Sequence, residues 1–251
     1  MASPKIVLFI VEGRTDELAL GRVLSKLVGD SSGCGVKFGI TRGDITSSYV
    51  FGEEPSSSTI KKRVQSTVRS FLERDKLSWN DLSSIILITD TDGAFVEDAL
   101  VWFNQEEPSL RYFNDHIETG DASSLRRRNK CKSSCLKVLV STHFMTYARR
   151  KVPFRVAYMS RNLEHALSDY AQEASTEKKV ELARRFTGNY GLNTSEFLEL
   201  LAEIAPPGTY QDSWNYIFDQ SNSLKRGSNM KQVLDELVSD YEIVDRTVNM
   251  Q

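Results

Sequence analysis

Cysteine and histidine are both scarce in this chain. Three cysteines, Cys34, Cys131 and Cys135, are spread over 251 residues, an odd and sparse set that excludes a disulfide framework. Cys131 and Cys135 could form half of a zinc site, but His116 and His143 do not stand at finger spacing to complete it. Long apolar runs are missing as well. The stretch before Glu12 is far short of the ~20 residues that cross a bilayer. It also lacks the length and cleavage site of a signal peptide, so a cytosolic protein is expected. A strong charge of one sign is absent: 32 Lys and Arg face 34 Asp and Glu, for a net −2, which excludes a bulk polyanion coat. Neither an internal repeat nor a low-complexity linker is found, and no G-x-x-x-x-G-K-[ST] phosphate loop occurs.

What is present is a pattern of strands and helices in alternation. Lys5–Val11 reads as a strand whose apolar residues are continuous, as in a parallel strand covered on both faces. Thr15 opens a helix carried by Leu20, Val23, Leu24 and Leu27. "VKFGI" alternates like a second strand, and "RGDITSSYVFGEEPSSS" is loop. Ile60, Val64, Val68, Phe71 and Leu72 stripe a second helix, and "SIILITDTDG" is a third strand. This order predicts right-handed crossovers and a parallel sheet. Further on, a helix is expected over Ser133–Arg150 with His143 inside it, a strand over Phe154–Met159, and helices near Thr176–Phe186, Ser195–Ile204 and Asn229–Tyr241. "APPGT", Ala205–Thr209, is a turn between helices.

In such a sheet, ligands bind beyond the carboxyl ends of the strands. Glu12 ends the first strand there, and Asp90 and Asp92 end the third. Residues i and i+2 of an extended segment face the same way, so both aspartates can converge on one ion. Hard carboxylate oxygens suit Mg²⁺ or Mn²⁺, and a divalent cation relieves their repulsion. The plainer alternative for each acid is a turn former or a helix cap.

"FIVEGRTDELAL" (Phe9–Leu20) followed by "ILITDTDGAF" (Ile86–Phe95) resembles the Toprim domain shared by topoisomerases, bacterial primases, RNase M5-like maturases and OLD-family nucleases. The motif's Glu-Gly matches Glu12 and Gly13, its Asp-x-Asp matches Asp90 and Asp92, and Asp16 occupies the place of an acid often found after the Glu. The resemblance covers about residues 4–100, extending toward 170. It implies a Rossmann-like α/β domain over 1–170 with a mainly helical extension over 171–251. Topoisomerases need a further domain with a nucleophilic tyrosine, and primases a zinc module. The nuclease branch therefore fits best, with a role in defence against phage or as a toxin-like effector and with any ATPase supplied by a partner.

Within that branch, the resemblance nominates further residues. Glu164 in "YMSRNLEHAL" follows the fourth strand and would ligate a second metal; the alternative is that it only opens a helix. Lys225 in "SNSLKRGSNM" matches a late lysine that steadies the developing charge, with Arg226 in reserve; the alternative is an exposed basic turn. Asp44 is a further ligand or a loop cap. The run "LRRRNKCK" offers Arg126, Arg127, Arg128 and Lys130 to nucleic-acid phosphates, and "RRK" at Arg149–Lys151 is a second concentration of positive charge. Two functions are thus expected from different classes. One is a Mg²⁺-dependent nuclease with Glu12 as general base. The other is a non-catalytic subunit that uses the fold to hold a partner or nucleic acid. Homo-oligomerisation stays open.

Overall fold

The computed structural model describes residues 5–41, 44–47, 54–106, 109–171 and 173–248. Of the loop expected before the second helix, Arg42, Gly43 and residues 48–53 lie outside the described residues.

The main sheet has five strands. β1 (Ile6–Val11), β2 (Gly35–Ile40) and β3 (Leu82–Asp90) lie parallel to the long β8 (Arg150–Met159), and β7 (Phe144–Tyr147) runs antiparallel at the edge. The order is β2-β1-β3-β8-β7. The expected sheet is therefore parallel except at β7. That strand occupies a stretch the sequence assigned to helix. "FMTY" is aromatic and β-branched, and it pairs back on β8 through a two-residue turn.

Both faces of the sheet are covered, which is why β1 is apolar throughout and Val7 to Val11 are wholly buried. Each such side chain contributes about 1.5–3 kcal/mol by leaving water. α1 (Arg14–Ser32) lies against α5 (Thr176–Tyr190), α6 (Thr194–Ile204) and α8 (Met230–Val248); α2 (Ile60–Asp75) packs with α3 (Ala122–Val140). The two remaining helices are α4 (Leu163–Ser168) and α7 (Tyr210–Phe218). Phe186, Phe197, Trp214 and Met230 of the later helices share one core with the strands.

α3 begins eleven residues before the expected Ser133 and ends ten before Arg150. Asp121 starts it by accepting from Ser124 N–H at 3.0 Å. Ser141 and Thr142 close it by donating back to the Val138 carbonyl. His143 consequently sits in the turn before β7 and not in a helix. Between β3 and α3 little periodic pattern is visible, and there the chain builds a second sheet, β4 (Val101–Phe103), β5 (Arg111–Tyr112) and β6 (Ile117–Thr119), in the order β4-β6-β5. Among the described residues, no helix is long and apolar enough to cross a membrane.

Candidate functional site

Strand order reverses between β1 and β3: from β1 the chain crosses to β2 on one side and then back to β3 on the other. The crevice at such a switch lies beyond the carboxyl ends, and Glu12 and Asp90 stand at those two ends. Thr89 Oγ1–H donates to Glu12 Oε1 at 3.2 Å, and Asp90 N–H approaches the same oxygen at 3.4 Å. The Glu12 carboxylate thus lies across the end of its neighbour strand. The chain then leaves through Gly13 into α1, and Asp16 Oδ2 accepts from Gly13 N–H at 2.9 Å. Asp16 is both a helix cap and a member of the acid group.

Asp90 and Asp92 flank Thr91, whose side chain is fully buried, donates to the Ser223 carbonyl and accepts from Arg161 N–H at 2.9 Å. That anchoring fixes Thr91 between the two aspartates; the i, i+2 argument assumed extended backbone through Asp92, and the strand ends at Asp90. Asp92 and Gly93 then both take left-handed φ, 48° and 68°. At Gly93 that φ strains any L side chain, and a Cβ there would also press on Ile117 Cδ1 at 2.6 Å, so glycine is favoured. The Asp92 backbone is held on both sides: its N–H donates to the Arg161 carbonyl at 2.8 Å, and its own carbonyl accepts from Arg128 Nη2 at 2.7 Å. Strained backbone of this kind persists where the surroundings over-determine it.

The residue the sequence did not single out is Lys132. Its side chain is completely buried, and its Nζ lies 2.7 Å from Asp92 Oδ2 and 2.8 Å from Asp44 Oδ2. Asp44 also accepts from Thr46 N–H at 2.7 Å and from the Thr46 and Ser47 hydroxyls. Asp44 is therefore both a loop cap and a partner of the buried cation. A sign of Lys132 was present: with Leu125, Asn129, Leu136 and Leu139 it falls on the buried stripe of α3, and a charge on an apolar stripe calls for a partner.

Burial and like charge shape the electrostatics. Burial, reinforced by Asp44, Asp92 and Asp16 and opposed by Lys132, pushes the Glu12 carboxyl up to about 8. Burial, with Glu12 and Asp92 adding to it, raises Asp90 well above the carboxylate range. Asp16 is raised, chiefly by burial. Asp44 is also opposed by burial, but the Lys132 ammonium outweighs this and lowers it to about 2. Burial works against the charge on Lys132, and Asp44, Asp92 and Glu12 together hold its pKa well above the usual value.

Glu164 opens α4 next to this group. It is 4% exposed, its Oε2 is buried without a hydrogen bond, and Lys179 Nζ of α5 lies 3.7 Å away. Lys179 also feels Asp90, Asp16 and Asp92. Lys225 is placed elsewhere: it is exposed and donates to Asn222 Oδ1 at 2.9 Å. Arg226 ties α4 to its surroundings through the Ala166 carbonyl, Asp169 and Glu203. Of the basic run, Arg126 donates to the Asp98 and Val101 carbonyls and Arg128 to the Asp92 carbonyl and Asn129, so both are engaged in holding loops. Arg127 and Lys130 face solvent.

The donor set suits a hard divalent cation in its chemistry: Glu12 and Asp90 are neighbouring carboxyls whose pKa values are raised by burial and by the acids around them, even with Lys132 opposing. It is not a finished cage, because among the described residues no three Asp, Glu, His or Cys side chains form a group that could hold a metal, and Asp92 is engaged by Lys132. Comparisons with protein-family models, with curated proteins and with solved structures give no match.

Proposed function

We propose that the chain is a divalent-cation-dependent nuclease of the Toprim kind, hydrolysing phosphodiester bonds in nucleic acid. Glu12 and Asp90 carry the proposal: two carboxyls from adjacent strands, at the point where strand order reverses, are forced to share one confined space. Such a pair needs either protons or a cation, and a phosphodiester entering beside ionised carboxylates needs the cation. Glu12 and Asp90 would hold it, with Asp92 free to join if Lys132 yields. When bound, Mg²⁺ or Mn²⁺ polarises the phosphoryl oxygens and lowers the pKa of a coordinated water.

The chain's own groups supply the rest. Glu12, once ionised, would accept a proton from the attacking water. Lys179, beside Glu164 and within the field of Asp90, Asp16 and Asp92, takes the role first given to Lys225 and would face charge developing on phosphate. Lys132 holds Asp44 and Asp92 in position and neutralises part of the acid group. Arg127 and Lys130 are the exposed members of the basic run and are free to meet phosphates. A role as an anti-phage or toxin-like effector, working with a partner ATPase, extends this reading.

One observation favours the second reading, a non-catalytic binding subunit: the Lys132 ammonium already occupies Asp92 and Asp44. The two are separated by incubating the protein with plasmid, single-stranded DNA and structured RNA, with Mg²⁺ or Mn²⁺ against EDTA. Cleavage that depends on the metal and vanishes in Asp90→Ala supports the nuclease. Metal binding and cleavage that are both absent from the wild type support the subunit.

A further inference from the structure

A second cleft lies at the other end of the sheet. It is open to solvent and offers about 480 Å³ between the end of α2, the turn before β3 and the β7–β8 hairpin. Ligand pockets commonly span ~300–1,000 Å³, so this one has room for a small ligand. Arg69, Arg149 and Arg150 line it, against the single acid Glu73. Among the described residues, no ion pair joins any of the three arginines to an acid. Arg150 Nη2 donates to the Leu82 carbonyl at 3.3 Å, while its buried Nε has no acceptor. Arg149 stands at the hairpin tip beside Ala148, whose φ of 51° is one that favours glycine.

The cleft also carries flat surfaces. Trp79 and Tyr147 stack with ring centroids 5.1 Å apart and planes 10° from parallel. Arg69 Cζ lies over the Tyr147 ring, 5.4 Å from its centroid. Arg69 and Tyr147 are both exposed, so a guanidinium plane and an aromatic ring are open to a ligand here. Nucleobases stack on such planes as they do on aromatic rings, and unpaired arginines bind phosphate.

We propose that this cleft binds a nucleotide unit, its base stacked on Arg69 over Tyr147 and Trp79 and its phosphate held by Arg149 and Arg150. β8 runs ten residues from Arg150 to Met159, and Met159 pairs with Asp90. At about 3.3 Å per residue, roughly 30 Å separates the cleft from the acids. The bound nucleotide is thus not the one being cut. It is a free nucleotide that reports to the fold, or the distal part of a strand. The proposal does not depend on the chemistry at Glu12 and Asp90.

The test uses the whole chain in EDTA. AMP, inorganic phosphate and a short single-stranded oligonucleotide are titrated by calorimetry and by tryptophan fluorescence. AMP should bind about tenfold more tightly than phosphate, since one stacked base contributes about 1–3 kcal/mol. Trp79→Phe should keep the binding and lose the fluorescence change. Arg69→Ala with Arg149→Ala, both exposed positions, should weaken AMP by about tenfold or more, and Asp90→Ala should leave it unchanged. An oligonucleotide that binds with the same variant dependence while AMP does not assigns the same chemistry to a strand. Binding that survives the double arginine variant, or AMP and oligonucleotide both no tighter than phosphate, overturns the site.

Discussion

Lys132 and Asp92 form an ion pair at 2.7 Å across the mouth of the sheet, with the lysine side chain wholly buried and the aspartate 27% exposed. Two consequences follow from the burial. The pair fixes the left-handed Asp92–Gly93 corner against α3, and it places a permanent positive charge among the acids. Replacing the lysine leaves Asp44 and Asp92 close together with no counter-charge.

Lys132→Met is therefore expected to destabilise the chain by about 3 kcal/mol, in the range seen when one partner of a buried pair is removed. Lys132→Met combined with Asp92→Asn should recover part of that loss, because the uncompensated charge goes with its partner. Urea unfolding of the two single variants and the double variant measures the coupling. Simple additivity would mean the pair does not act as one unit.

The pH dependence has a definite sign. Glu12 has a folded-state pKa of about 8 against an ordinary 4.5. Between those values the folded chain holds a proton that the unfolded chain has lost, so metal-free stability falls as pH rises through that window. Asp90, also raised, adds to the same slope. Asp44, lowered to about 2 from 3.8, acts the other way: its contribution is present above 3.8 and is lost on acidifying toward 2. In EDTA the melting temperature should thus fall steadily from about pH 5 to about pH 8. Because a metal displaces these protons, the rise in melting temperature on adding Mg²⁺ should grow over the same range. Melting curves in both buffers check the pair of slopes. A metal-free curve that is flat would place Glu12 in open solvent.

The two aspartates of the Asp-x-Asp pair should respond oppositely. Asp90→Asn removes a carboxyl that burial and Glu12 already oppose, so metal-free stability at neutral pH should hold or rise and the pH slope should flatten. Asp92→Asn strips Lys132 of one partner and should cost about 1–3 kcal/mol. On sequence alone both belong to one repelling cluster, and relief of repulsion would be expected from either. Chemical denaturation at pH 7 and at pH 5 separates the two residues.

How far the sequence carried depends on where a signal was local. β1, β3 and the acids at their ends were legible because a buried parallel strand is continuously apolar and the chemistry begins where it stops. β2 and α2 followed from period. α3 was misplaced because Arg126 to Lys132 mask its apolar stripe: Arg126 and Arg128 are turned to neighbouring carbonyls and Lys132 to Asp44 and Asp92. β7 was lost because its four residues owe their form to pairing with β8. The small sheet was lost because its strands have two or three residues each. Lys179 could not be read at all, since it reaches Glu164 only through the packing of α5 on α1 and α4.

That last point yields the sharpest prediction for the proposed chemistry. The sequence nominated Lys225 to steady the phosphoryl charge, yet Lys225 is exposed and bonded to Asn222, while Lys179 stands 3.7 Å from Glu164 and within the field of Asp16, Asp90 and Asp92. Lys179→Ala should lower the cleavage rate of bound substrate by about tenfold to a thousandfold, as for removal of one electrostatic partner of the transition state. Lys225→Ala should leave it within about twofold, and at most weaken binding in a salt-dependent way. Single-turnover cleavage at saturating enzyme reads the first effect, and filter binding at several salt concentrations reads the second. Lys179→Ala leaves Glu164 buried without a partner, so Lys179→Arg serves as the control: it keeps the charge and should retain both the fold and part of the rate. A normal rate in Lys179→Ala with a loss in Lys225→Ala would return the role to the later lysine and require α8 and the turn before it to close over the acids.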